Sequence, residues 1–369
     1  MPTTGPFKRP KRAYKKVDRQ LRSWRSLAQV VGGAVAADKA TERADREIAR
    51  MARGSDPIVV GPWLSEIGPE LQYWIPMLQQ FASHYGIERE RMVAVSRGGV
   101  EAWYRNVCGT YVEAFDAVSP EELRRHYDDM KARGMGEKVW QVGDFDRRIL
   151  EHARREIGAE HVNLIHPSQM NRRFRDFWVR TRKSGGLDKR MESRPLDRSP
   201  DPVLAERLAG LPEDYVAVKA YFSHCFPDTR ENRTFVRDLV GGLAETGNVV
   251  VLSTGLDVDD HAEYAPDAAG TVYDARPLMT PPDNLGVQTE IIRGARALFT
   301  TYGGFAYLGP FLGIDTLAFY SLYNFKPNNL DQMRAVNEAL RGARFTTVKV
   351  DELELFDLLA RARRTPAAA

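Results

Sequence analysis

Residues 297–313 read ALFTTYGGFAYLGPFLG. Ala297 to Thr301 is a short apolar, β-branched run suited to a buried strand, Gly303 and Gly304 make a tight turn, and the remainder is a helix apolar on all sides. That order is the βα unit of a parallel sheet covered on both faces. Glycine lets the backbone approach a neighbour closely, and the free amides of a first helical turn carry partial positive charge. Ligands of open α/β sheets bind beyond the carboxyl ends of the strands, so Tyr302, Gly303, Gly304 and Phe305 predict a diphosphate cradle. Pro310 lacks an amide hydrogen and predicts an irregular helix.

The same alternation runs outward from this unit. Downstream of residue 200, Tyr215 to Lys219, Asn248 to Ser253, Thr271 to Tyr273 and Asp315 to Tyr320 read as strands, separated by helical patterns over 229–243, 284–295 and 330–340. Upstream, Ile58 to Val60, Met92 to Ser96, Tyr111 to Phe115 and Val162 to Ile165 read as strands. Helices are predicted over 69–85, from the capping box Ser119-Pro120-Glu121-Glu122, and over 144–158. The segment RKSGGLDKRMESRPLDRSP (182–200) has no sustained apolar period and reads as a linker. The expected fold is α/β, with two Rossmann-like domains (56–200 and 201–369) facing a cleft, preceded by a basic, partly helical extension (1–55).

Length and composition agree with this layout. The 369 residues suffice for two domains, and 43% hydrophobic with 28% charged residues is ordinary globular usage. Residues 1–25 hold nine Lys/Arg against Asp18 alone, leaving 44 basic and 49 acidic residues elsewhere. The basic excess is a tail, which speaks against a nucleic-acid groove on the body and leaves an anionic membrane surface as a partner for residues 1–25. Two cysteines 117 positions apart exclude a disulfide scaffold, and no apolar run near the start is long enough to span a bilayer. A cytoplasmic location, peripheral at the inner membrane face if the tail binds there, is the expectation.

Three further stretches carry candidate residues. Lys219 ends the first downstream strand, and Arg230 and Arg233 open the following helix, where the positive end of the dipole disfavours a cation by about 0.3–1 kcal/mol. An anionic ligand would reverse that preference, because a guanidinium matches phosphate oxygens. In GPWLSEIGPELQYWIP (61–76), Glu66 in the loop and Glu70 in the first helical turn could each take a proton from an acceptor hydroxyl. Arg97, in the Ser-Arg-Gly-Gly turn after the second strand, is a candidate for acceptor binding. Asp257, Asp259 and Asp260 with His261 match a DxD metal motif superficially, yet they are separated from their strand and read better as a solvated helix start. HExxH, P-loop and GxGxxG patterns are all lacking in the sequence, so no metal and no bound cofactor is expected.

The stretches GPWLSEIGPELQYWIPML (61–78) and NLGVQTEIIRGARALFTTYGGFAYLGPFLGIDTLAFY (284–320) resemble bacterial glycosyltransferases of the GT-B type used in surface-polysaccharide assembly. The resemblance runs loosely over 57–341. It implies an N-terminal half that receives a glycan or lipid-linked acceptor and a C-terminal half that holds a nucleotide-sugar, usually without metal. By that resemblance Tyr302, Gly303, Gly304 and Phe305 bound the donor diphosphate, Arg230 neutralises it, and Glu66 or Glu70 is the base. Residues 219–221 lack the Arg-containing basic pair of fucosyl enzymes, which argues against a GDP-fucose donor. Two rival readings are a pyruvyl transferase on the same scaffold and a non-catalytic binder acting through the basic tail.

Overall fold

The computed structural model describes residues 42–133, 141–174, 189–254, 262–266 and 269–352. The basic tail and the Asp257–His261 cluster lie outside the described residues. Helix α1 (42–52) is the described part of the helical extension.

Among the described residues, ten strands form two fully parallel sheets. β1 (Ile58–Val60), β2 (Met92–Ser96), β3 (Thr110–Glu113) and β4 (Asn163–Ile165) lie in the order β3-β2-β1-β4. The second sheet comprises β5 (Tyr215–Lys219), β6 (Asn248–Val251), β7 (Val272–Asp274), β8 (Ala297–Thr301), β9 (Asp315–Tyr320) and β10 (Phe345–Lys349). Its order is β10-β9-β8-β5-β6-β7. Counted from β5, the chain winds three strands outward, returns to the centre and winds three strands the other way, which is the doubly wound Rossmann order.

Successive strand residues point to opposite faces, and the strands divide their side chains accordingly. In the first sheet Val59, Val93, Val95 and Val112 pack with Leu123 of α3 (Pro120–Ala132) and with Ile149 and Ala153 of α4 (Asp144–Glu156). In the second, Val218, Val249, Val251 and Phe319 pack with Val236 and Val240 of α6 (Arg230–Ala244); α5 is Pro167–Arg173. The opposite faces, including Ile58, Val60, Met92 and Ala94 from one sheet and Ala217, Val250, Leu298 and Ala318 from the other, belong to one continuous core. That core also takes Trp74 and Trp103, both fully buried, each worth roughly 1.5–3 kcal/mol or more in area removed from water.

The expected open cleft is therefore a packed junction along this edge. Between the sheets lie α2 (Ile75–Tyr85) with the π-helical turn Glu70–Trp74 before it, α7 (Asn284–Gly294) and α8 (Gly304–Leu312). The amides of Leu285 and Gly286 both donate to the Gly98 carbonyl, at 2.9 and 2.8 Å. Trp103 Nε1 donates to Thr289 Oγ1 at 2.9 Å, and the Tyr73 hydroxyl donates to Asn329 Oδ1 at 2.9 Å. An all-round apolar helix such as α8 needs cover on every side, and the other half supplies it.

Pro76 and Pro310 are both accommodated within helices. Pro76, in the first turn of α2, cannot donate to the Gln72 carbonyl, and the π-turn immediately before it widens the backbone there. Pro310 sits inside α8 without breaking it, and the helix runs on to Leu312 before Gly313 ends it in the left-handed region at φ 72°.

Candidate functional site

The strand order reverses between β5 and β8, so the loops following these two strands flank a topological switch point. Lys219 ends β5 opposite Thr300 of β8, and the Tyr302-Gly303-Gly304 turn leads from β8 into α8. The register therefore brings together Lys219 and the glycine turn. The Lys219 ammonium lies 4.8 Å from the centre of the Phe305 ring, a cation–π arrangement, and is paired with Glu263 Oε1. Glu263 Oε2 accepts from the Thr254 amide and hydroxyl just past β6, at 2.5 and 2.9 Å. Burial pushes the Glu263 carboxyl up, but Lys219 and the Thr254 donors outweigh it and hold the acid below its usual range. Sequence reading missed Glu263, because it belongs to no motif and reaches Lys219 across 44 positions.

The two glycines have intramolecular reasons to be glycine. A Cβ on Gly303 would collide with the Tyr221 hydroxyl, and one on Gly304 would stand 2.7 Å from the Gly68 amide nitrogen. Tyr221 is itself fixed by exchanging bonds with Thr301: its amide donates to Thr301 Oγ1 at 3.1 Å, and that hydroxyl donates back to the Tyr221 carbonyl at 2.8 Å. The Ala306 amide bonds to the Gly303 carbonyl, and the first amides of α8 have, as at any helix start, no intrahelical partner. Tyr302 is buried, with its hydroxyl accepting from Tyr307 at 3.0 Å.

Opposite the turn stands the loop after β1. Gly61 touches β2 so closely, at φ 134°, that a side chain would meet the Val95 carbonyl, and Trp63 then donates its amide to that same oxygen at 2.9 Å. Arg97 is buried beneath this loop, donating to the Leu64 and Ser65 carbonyls at 3.2 and 3.1 Å. It braces the loop. Glu66 is exposed, and the next residue, Ile67, lies against Gly304. Glu70 is 1% exposed; its Oε1 accepts from the Tyr104 hydroxyl at 2.5 Å and the Ser96 hydroxyl at 2.7 Å. Burial raises this carboxyl to about 7 against the pull of those donors and of Arg97. Of the two carboxylates, the fold brings Glu66 to the surface beside the turn and Glu70 into the core.

The arginines divide as well. Arg233 is held by Asp228, at 2.7 Å from Nη2 to Oδ2, with its guanidinium 4.7 Å from the centre of the Phe222 ring. That pairing offsets the helix-dipole penalty without any ligand. The N-cap of α6 is Thr229, whose hydroxyl accepts from the Asn232 amide. Arg230 is exposed and lines a groove of about 600 Å³ with Glu231, Phe235 and Asp238 of its own helix. His224 is exposed. Among the described residues no cluster of His, Cys, Asp or Glu is placed to hold a metal, and no helix is long and apolar enough to cross a membrane.

No family model matches the chain, and no curated protein matches it. Solved structures similar to it include a glycosyl transferase family 9 protein from Veillonella parvula, at 12% identity and a TM-score of 0.46, covering 85% of this chain and 91% of that one. An E. coli ADP-heptose heptosyltransferase II is similar at 10% identity and a TM-score of 0.39, over 78% of this chain and 99% of that one. The E. coli heptosyltransferase WaaC with ADP is similar at 11% identity and 0.38, over 82% and 99%.

Proposed function

We propose that the protein is a glycosyltransferase that moves a sugar from a nucleotide-sugar donor to a hydroxyl of a glycan or lipid-linked acceptor. The observation that carries the reading is the convergence, at the β5/β8 switch point, of a buried lysine and the start of an apolar helix, with an exposed carboxylate on the facing loop. In this reading the diphosphate lies against the first amides of α8, near Gly303, Gly304 and Phe305, with Lys219 supplying positive charge. The acceptor oxygen attacks the anomeric carbon, Glu66 takes its proton, and the bond from that carbon to the diphosphate oxygen breaks, so the nucleoside diphosphate departs with the electron pair. Glu70 and Arg97 touch neither reactant; they position the loop that carries Glu66. No metal is asked for. Arg230 would reach a donor only from the outer groove, and the basic residues of 1–25 would hold the enzyme to an anionic membrane surface from the cytoplasmic side.

Incubation with UDP-, GDP-, ADP-, CMP- and dTDP-sugars tests the proposal, with release of free nucleotide as the readout. Slow hydrolysis of one donor class, abolished in Glu66→Gln, is the expected result. Turnover of an enol-phosphate donor instead of every nucleotide-sugar would move the assignment to a pyruvyl transferase.

A further inference from the structure

After β9 the chain runs Ser321-Leu322-Tyr323-Asn324-Phe325-Lys326. Its backbone is pinned to the loop after β5: the Ser321 and Leu322 amides both donate to the Cys225 carbonyl, at 3.0 and 2.9 Å, and the Asn324 amide donates to the Leu322 carbonyl at 2.8 Å. Leu322 is nevertheless 50% exposed and Tyr323 61%. Among the described residues the other exposed large apolar side chains, Tyr85 and Val203, stand singly. Tyr323 packs on Phe325 with ring centres 4.6 Å apart, and Phe325 packs on Tyr302 at 4.3 Å. An unbroken series of rings thus leads from the surface to the neighbour of Gly303. Beyond it, Asn329 receives the Tyr73 hydroxyl and the Gln72 side-chain amide of the other half, which fixes the far end of the segment at the junction.

We propose that Tyr323 and Leu322, on the C-terminal half, form a platform on which a sugar ring of the acceptor glycan rests while its reacting hydroxyl lies at the N-terminal-half loop that carries Glu66. The inference deepens the transferase reading and rests on it. A pyranose offers a face of C–H groups and a rim of hydroxyls. A tyrosine offers a flat apolar face with a polar tip and few rotamers to immobilise. Asn324 and Lys326, both exposed and just after Tyr323 in the chain, supply donors and an acceptor for the hydroxyl rim. Because the loop backbone is already hydrogen-bonded, binding orders little. A second copy of the chain fits less well, since a stable interface takes roughly 800 Å² from each partner and two side chains provide only a small part of that.

The test uses the full chain on an array of hexose-, heptose- and N-acetylhexosamine-terminated oligosaccharides, with thermal shifts by UDP, GDP, ADP, CMP and dTDP measured in parallel. Wild type should bind a subset of glycans, Tyr323→Ala should weaken that binding about tenfold, and Tyr323→Phe should retain it, because the ring face is what stacks. The nucleotide shift should be the same in all three. Equal glycan binding by wild type and Tyr323→Ala, no glycan bound by wild type, or conversion of a dimer to a monomer by Tyr323→Ala would each overturn the platform. A nucleotide response without glycan binding sinks the platform alone; glycan binding lost in Tyr323→Ala without any nucleotide response supports the platform and sinks the transferase reading.

Discussion

Gly304 begins its helix against Gly68 of the opposite half, so closely that a single added methyl would come within 2.7 Å of the Gly68 amide nitrogen and 3.2 Å of Ile67 Cβ. The contact joins the turn proposed to hold the donor to the loop that carries Glu66.

Gly304→Ala separates this contact from helix propensity. In an unconstrained helix the change would stabilise by roughly 0.5–1 kcal/mol. Here the obstacle is backbone and cannot swing aside, so urea unfolding should show a loss of about 1–3 kcal/mol. A variant as stable as wild type would mean the two halves do not meet at this point.

Gly303 presents a separable question, because its φ of 162° is open to any residue and only the Tyr221 hydroxyl blocks a side chain. Gly303→Ala alone should cost about 1–3 kcal/mol. Combined with Tyr221→Phe, whose nearest ring carbon stands 3.2 Å from the new methyl, most of that loss should return. If the backbone must also approach a diphosphate here, the double variant will fold but fail to respond to nucleotide. Recovery of both properties would assign Gly303 to packing alone.

The Lys219–Glu263 pair calls for a two-step substitution. Lys219→Met removes the cation facing a mostly buried carboxylate and should destabilise by about 3–5 kcal/mol, read from thermal or urea unfolding. Glu263→Gln in the same chain removes the charge left behind and should restore most of the stability, while nucleotide binding stays lost. Restored nucleotide binding in the double variant would show that Lys219 serves the fold only.

Glu70 makes stability depend on pH in a definite direction. Its carboxyl titrates near 4.5 when unfolded and at about 7 when folded, so between these values the native state holds more protons than the unfolded one. Stability contributed by the neutral acid is complete below pH 4.5 and falls as pH rises through 7, by about 3 kcal/mol at most. Glu113, also raised by burial, slopes the same way, so the comparison must be wild type against Glu70→Gln. The variant should be the less pH-sensitive, gaining on wild type in urea midpoints as pH rises from 4.5 to about 7 and keeping that gain above it. An unchanged slope would mean that the carboxyl stays charged in the core.

The strands whose residues are buried on both faces were legible because a covered parallel sheet accepts short β-branched runs such as Val249-Val250-Val251 or Val93-Ala94-Val95. β10 was not, since Phe345-Thr346-Thr347-Val348-Lys349 is an edge strand with only Val348 fully buried and no apolar run to mark it. The α5 helix escaped as well: its N-cap is His166, whose Nδ1 accepts from the Ser168 amide, an uncommon residue in that place. The glycine turn and Lys219 were found through the strand-end rule, which depends only on the order of elements. Glu70 and Arg97 were read as a candidate base and a candidate acceptor contact, and the fold buries both. Whether a charged side chain faces solvent or lies under a loop depends on contacts such as Tyr104 to Glu70, 34 positions apart, and a one-dimensional pattern does not contain them.

Amide hydrogen exchange over residues 302–306, with and without millimolar UDP, GDP, ADP, CMP or dTDP, bears most directly on the central claim. One nucleotide should slow exchange at Gly304 and Phe305 in wild type and leave it unchanged in Lys219→Met/Glu263→Gln. Exchange at these amides that no nucleotide alters, in a protein that is otherwise folded, would contradict the placement of a diphosphate there.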